Sequence, residues 1–209
     1  MYTIYPFLKS GLVFVNSKTT DFYIGDSKNS PVKLITELNI GDYETGGGGG
    51  DEPPTNPEWP ALKDLILGNN ITWADKQWIV SHVEITEAYL TLKGLSGNSS
   101  WTNLQSACTN FANSFSEAQK ECLKSIRAGN TSGIVFVATK DHMNGDFSYF
   151  NNNSRRNLNE EYWTSTSNGM DDAWVVFSDG RLVGSLFDTS GSLGFRPSVC
   201  IDLTKYTVS

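Results

Sequence analysis

The sequence is short of the residues on which most catalytic and metal-binding motifs depend. Its 209 residues include two histidines, His82 and His142, and three cysteines, Cys108, Cys122 and Cys200. The cysteines make no C-x-x-C motif and no His-bearing cluster, which excludes the usual zinc and redox spacings, and their odd number leaves at least one thiol free. They read as small buried apolar residues, with Cys108 and Cys122 as the one pair that could bridge. Neither histidine adjoins a Ser or Cys nucleophile in a recognisable motif, and no Gly-rich phosphate loop follows a strand. The chain therefore reads as a non-enzyme with no catalytic residue, no metal and no cofactor. A carboxylate pair for glycoside hydrolysis is assembled in space and leaves no linear motif to read.

Positive charge is scarce as well. Sixteen Lys and Arg stand against 23 Asp and Glu, for a formal net charge of -7. Nucleic-acid binders concentrate Lys and Arg to displace counterions from the phosphate backbone, so nucleic acid is excluded as an expected partner. Long apolar runs are missing: the stretch 133–138 is far shorter than the roughly 20 residues a membrane helix needs, and no membrane insertion is expected. Met1-Tyr2-Thr3-Ile4-Tyr5-Pro6 lacks a basic start before an apolar stretch, so no signal peptide is expected. Release by lysis or by assembly into a particle is then the expected route out of a cell.

An apolar fraction of 38%, with six Trp, eleven Phe and eight Tyr, is enough to fill a core. The clearest boundary is the run Gly46-Gly47-Gly48-Gly49-Gly50 followed by Asp51-Glu52-Pro53-Pro54-Thr55-Asn56-Pro57, flexible glycine joined to semi-rigid proline. It sets a linker at 46–58 between a small module, 1–45, and a main domain, 59–209. In the module, the runs 11–15, 22–24 and 32–35 are β-like and are separated by polar turns, which predicts a small all-β unit. A unit of that size rarely buries enough surface to stand alone, so it is expected to oligomerise or to attach to a larger assembly.

In the main domain, strands are expected at 70–73, 77–80 and 88–92, with Trp73, Trp78 and Tyr89 as core aromatics. Trp101, Leu104, Cys108, Phe111 and Phe115 recur at helical spacing. Ser116-Glu117-Ala118-Gln119 is a capping box opening a second helix, with Cys122, Leu123 and Ile126 on its face and Gly129 as its stop. Residues 133–138 predict a strand buried on both faces. Residues 140–161 read as a long polar loop, and loops of about 20 residues in compact domains usually carry function. Strands at 162–166, 173–178, 181–187 and 194–202 complete an α+β domain, with Ser178-Asp179-Gly180-Arg181 as a hairpin turn.

The order Tyr162-Trp163-Thr164-Ser165-Thr166, Ala173-Trp174-Val175-Val176-Phe177, Asp179-Gly180-Arg181 and Gly194-Phe195-Arg196-Pro197-Ser198-Val199-Cys200-Ile201 resembles the C-type-lectin-like domains of bacterial and phage surface proteins. That group includes formylglycine-generating-enzyme-like domains, the variable proteins of diversity-generating retroelements and a related family of unknown function, in which a Tyr-Trp-x-x-Ser strand precedes a Gly-[Phe/Val]-Arg-Pro strand. The resemblance spans about Leu67 to Leu203. It implies a C-type-lectin-like fold with two helices and antiparallel sheets, structural roles for Trp163 and Trp174, and an Arg196 that holds a neighbouring carbonyl or carboxylate. The Ca²⁺ motifs of animal lectins are not in place: Glu52-Pro53-Pro54 lies in the linker, and Trp163 is followed by Thr164-Ser165. The cysteine pair of the copper-dependent enzymes is not there either, since Cys200 is the one cysteine of the C-terminal third and sits in an expected core strand.

What remains is a polar and aromatic surface on three stretches, 147–153, 167–172 and 185–190. Tyr supplies rigid contact area and Asn and Ser adapt their hydrogen bonds, as binding loops require. The expected ligand-binding residues are Tyr149, Asn151, Asn152, Asn153, Asn168, Asp171, Asp172, Phe187 and Asp188, on loops expected to cluster at one end, with Asp171, Asp172 and Asp188 as a minor candidate for a cation. The resulting expectation is a phage virion protein, of a tail or head fibre, on the particle surface or else on a cell surface. It displays a lectin-like domain to a host-surface glycan or protein, attaches to other virion proteins through its N-terminal module, and forms a homo-oligomer, with a trimer favoured because multivalency strengthens weak binding. The alternatives are a decoration protein contacting other virion proteins and a bacterial adhesin.

Overall fold

The computed structural model describes residues 58–169, 172–184 and 188–206, together with the backbone of four strands among the first 57 residues. The chain divides into two compact units, 1–51 and 52–209. In the first, β1 (Tyr2–Tyr5), β2 (Leu12–Asn16), β3 (Phe22–Gly25) and β4 (Val32–Ile35) form an antiparallel meander in chain order. β2 to β4 fall on the expected runs. β1 is additional, and its Tyr-Thr-Ile-Tyr sequence has the aromatic and β-branched residues that favour a strand. The linker lies outside the described residues except for Glu58.

The second unit is mixed α+β, mostly strands with a few short helices. It opens with β5 (Asn70–Trp73), β6 (Lys76–Val83) and β7 (Glu87–Leu92). Ala74 and Asp75, both at positive φ, make the tight two-residue turn between β5 and β6 that suits strand twist. β8 (Asn98–Ser100) leads through a 3-10 turn (Trp101–Asn103) into α1 (Leu104–Ala112), where the expected spacing buries Leu104, Cys108 and Phe111.

The second helix is much shorter than its apolar spacing predicts. α2 (Glu117–Glu121) carries the capping box, with Ser116 Oγ accepting from Gln119 N–H and the Gln119 side chain accepting from Ser116 N–H. It then stops, and Leu123 and Ile126 lie on β9 (Leu123–Lys124) and β10 (Ile126–Ala128). The reason is tertiary: β9 pairs with the last strand of the domain, at Leu123 opposite Ile201, and that ladder overrides a local helical pattern. Gly129 is the turn from β10 into β11 (Thr131–Gly133) rather than a helix stop. Its φ is +54°, and a Cβ there would overlap the Ser165 carbonyl, so glycine is required on both counts.

β12 (Val135–Val137) follows. Residues 140–161 are not one open loop. They form turns at His142–Asp146 and Ser148–Phe150 and a short helix, α3 (Asn153–Arg156). β13 (Tyr162–Ser167), β14 (Ala173–Val176), β15 (Leu182–Val183), β16 (Ser192–Gly194) and β17 (Pro197–Asp202) complete the unit. The single strand expected over 194–202 is thus broken at Phe195-Arg196.

One sheet has the order β12-β17-β7-β6-β5, with β9 also on β17, and the other β15-β14-β13-β16-β8; β10 and β11 form a separate ribbon. The pairings are antiparallel except for β13 with β16. A larger core lies between the sheets and α1, built on Trp73, Trp78, Leu90, Leu104, Phe111, Phe115 and Trp163. A smaller one contains Phe136, Met143, Phe147, Phe150, Tyr162, Val176 and Cys200. Because side chains alternate along a strand, Trp163 and Val175 enter the first core and Tyr162 and Val176 the second. β13 and β14 are covered on both faces there, so neighbouring residues such as Tyr162 and Trp163, or Val175 and Val176, are all buried.

Arg196 is buried; its Nε donates to the Leu92 carbonyl at 2.7 Å, Nη1 donates to Tyr162 Oη, and the guanidinium lies over Phe150, 4.8 Å from the ring centre. A carbonyl is thus the acceptor at this position. The three cysteines are buried free thiols, each pushed up to about 12 by burial.

Candidate functional site

The expected ligand-binding residues fall into two groups at opposite ends of the β15-β14-β13 ladder. Tyr162 pairs with Val176 at one end of β13, and Ser167 pairs with Ala173 at the other, roughly 16 Å away at the usual rise per residue. Asn153 lies at the Tyr162 end: its carbonyl packs on Gly180, in the turn after β14, at φ +85°. Asn168, Asp172 and Asp188 lie at the Ser167 end. The expectation that all these loops share one end is therefore not met. Asp171 and Phe187 lie outside the described residues.

At the Tyr162 end the polar side chains hold the protein together. Arg156 is buried and donates to the carbonyls of Gly180, Met143 and Phe150, each at 2.8 Å, and to Asn153 Oδ1. Desolvation holds its pKa below the ordinary arginine value. Its own carbonyl accepts from Tyr162 Oη at 2.8 Å. Asn152 caps α3: its Oδ1 accepts from Arg155 N–H at 3.1 Å and from Ser154 Oγ at 2.7 Å. Tyr149 lies under the Arg155 guanidinium, 5.1 Å from its ring centre, while Arg155 Nη1 donates to the Tyr149 carbonyl. Asn151 is exposed at the surface of this end.

At the Ser167 end, an isolated bridge pairs Asp172 with Asp188, so the β13–β14 and β15–β16 connections run side by side. Asn168 N–H donates to the Asp172 carbonyl at 2.8 Å, closing the first connection. Asp188 Oδ1 accepts from Ser190 N–H at 2.8 Å, and this bond holds its carboxyl below the usual range. The side chains of Asn168 and Asp172 make no hydrogen bond to another described residue. Next to this rim stands Trp174, half-buried. Gly184 packs flat on its ring, where a Cβ would overlap the indole, and Lys140 Nζ lies 5.0 Å from the ring centre. Lys140 is fixed there through its backbone, whose N–H donates to Thr166 Oγ1 at 2.9 Å, and its ammonium pairs with Asp141. Lys140 is a residue that sequence reasoning passed over, and nothing in the linear pattern distinguishes it.

The two histidines meet around one aromatic ring. Phe147 is stacked on His142 at 4.3 Å and 2° and on His82 at 6.0 Å and 15°. His142 Nδ1 accepts from Thr139 N–H at 3.1 Å, and burial lowers its pKa. His82 Nδ1 lies 3.1 Å from Ser148 Oγ, and His82 Nε2 lies 3.2 Å from Glu84 Oε1. Ser148 is 66 positions from His82, which is why no sequence motif joins them. Beside them Glu87 accepts from Lys124 and Tyr89, and these bonds hold its carboxyl below the usual range.

Among the described residues no group of three or more His, Cys, Asp or Glu could hold a metal ion, and no helix is long and apolar enough to cross a membrane. No protein-family model matches the chain, and no curated protein matches it.

Proposed function

We propose that this protein is a display protein of a phage particle, in which a C-type-lectin-like domain presents the Asp172–Asp188 rim to a glycan or protein on a host surface. The observation that carries this reading is the bridge itself, which sets two polar connections next to the half-buried Trp174 and Lys140. Amide, carboxylate and ammonium groups brought together beside an aromatic suit a sugar, whose hydroxyls need both donors and acceptors. The lectin-like assignment is further supported by the aromatic strand, hairpin and Gly-Phe-Arg-Pro strand, and by the return of the last strand, β17, to pair with β7 early in the unit.

The N-terminal β meander then serves as the attachment and oligomerisation module, with the Gly/Pro linker giving reach. Several copies on one particle, three in the favoured arrangement, convert a weak single contact into stable adhesion.

The test is binding of the labelled, bead-multimerised full chain to a glycan array and a panel of bacterial cells, against a variant carrying Asn168→Ala, Asp172→Ala and Lys140→Ala. Saturable binding lost in the variant, with an unchanged melting temperature, supports the reading. No binding by the folded, multimerised protein favours a decoration protein whose contacts are other virion proteins.

A further inference from the structure

We propose that Ser148, His82 and Glu84 form a nucleophilic serine site that takes the acyl group of a carboxylic ester. This goes beyond the display function and uses residues outside the Asp172–Asp188 rim. A histidine stands between a serine and a carboxylate in the order a relay needs: Ser148 Oγ to His82 Nδ1 at 3.1 Å, and His82 Nε2 to Glu84 Oε1 at 3.2 Å. The protonation pattern follows from the neighbours. Ser148 N–H also points at Nδ1, at 3.5 Å, and an N–H can only donate, so Nδ1 carries the lone pair. Nε2 then carries the hydrogen and donates it to the Glu84 carboxylate. A neutral imidazole with its lone pair on a hydroxyl and its N–H on a carboxylate is the arrangement of a general base, and the carboxylate stabilises the imidazolium that forms.

The surroundings hold that geometry. The His82 ring rests against Phe147 and Tyr89, with centres at 6.0 and 5.8 Å. Ser148 stands between Phe147 and Phe150, within two residues of each, and both are buried, so its backbone is anchored on both sides. Ser148 and His82 are themselves half-buried and Glu84 is exposed.

In the reaction, Ser148 Oγ attacks the ester carbonyl carbon as its proton passes to His82 Nδ1. The ester C–O bond breaks, and the departing alcohol takes that proton. A water molecule, deprotonated in turn by Nδ1, then attacks the acyl-serine, releasing the carboxylic acid and restoring the Ser148 hydroxyl. The sum is ester plus water to alcohol plus acid. Esters are the expected class because an alcohol leaves with less assistance than an amine.

The full chain is treated with a fluorophosphonate probe, the adduct is located by peptide mass spectrometry, and p-nitrophenyl acetate hydrolysis is followed in parallel. The expected result is one adduct, on Ser148, lost in Ser148→Ala and formed at least about 100-fold more slowly in His82→Gln, the usual contribution of a positioned base. Glu84→Gln, a change at an exposed position, keeps the test independent of folding and should slow labelling several-fold at an unchanged melting temperature. No adduct on Ser148 in the folded protein, or equal labelling rates in all three proteins bearing Ser148, would overturn the proposal.

Discussion

At the Tyr162 end of the β15-β14-β13 ladder, Asn152 and Asn153 direct their side-chain oxygens at the protein itself, one to the first turn of α3 and the other to the buried Arg156. At the Ser167 end, the side chains of Asn168 and Asp172 make no such bond to a described residue, and the connections there are joined through backbone, at the Asp172–Asp188 bridge. Both ends are rich in Asn and Asp, and both read alike in sequence. The difference teaches that a polar stretch is a candidate for binding only after its internal hydrogen bonds have been counted. Asn153 is occupied by Arg156, because a buried guanidinium needs every acceptor within reach.

The sharpest way to break this comparison is to remove Arg156. Arg156→Met leaves three buried carbonyls without a donor, and at the ordinary cost of an unsatisfied buried group the domain should lose about 3 kcal/mol or more, read as a shift in the urea midpoint. Lys140→Ala at the other end should change stability by less than about 0.5 kcal/mol. Gly180→Ala comes next: a Cβ at φ +85° meets the Asn153 carbonyl, and a loss of about 2 kcal/mol is expected from strain and overlap together. Asn152→Ala removes the α3 cap and should cost about 1 kcal/mol, whereas Asn168→Ala should leave the midpoint unmoved. If the Asn168 change were the more damaging of the two, the division of labour between the ends would be wrong.

The smallest effect expected is on pH dependence. Burial lowers the pKa of His142, against the opposing pull of Asp146 and Asp141 and with the help of His82. The unfolded chain therefore takes up a proton at His142 before the folded one does. Stability should fall as pH drops below about 6.5, the ordinary histidine value, and keep falling until the folded group also titrates. His142→Gln should flatten that part of a stability-against-pH curve measured by urea titration, and Asn151→Ala should not.

Much of the main unit is legible from residue spacing. The α1 stripe of Leu104, Cys108 and Phe111, the aromatics Trp73 and Trp78, and the Ser116–Gln119 capping box all depend on neighbours a few positions apart, and each forms as its spacing predicts. Where the reading fails, distant partners decide. Leu123 and Ile126 have helical spacing, yet the β17 ladder claims Leu123 and Gly129 turns the chain. Residues 140–161 lack periodicity, so they read as loop, but Arg156 and the buried Met143, Phe147 and Phe150 fold them onto the sheet. The candidate site divides in the same way. The polar rim residues were visible by type, while the Lys140–Trp174 pairing and the approach of Ser148 to His82 are products of tertiary structure.

The most direct test of the central claim, that the Ser167 end is the face presented to a ligand, is to compare binding by two variants of the multimerised full chain on the same glycan array and cells. One carries Asn168→Ala with Asp172→Ala, the other Asn151→Ala with Tyr149→Ala. The account predicts that the first loses binding and the second keeps it, with both folded as judged by melting temperature. Retention by the first and loss by the second would contradict it and move the binding face to the Tyr162 end.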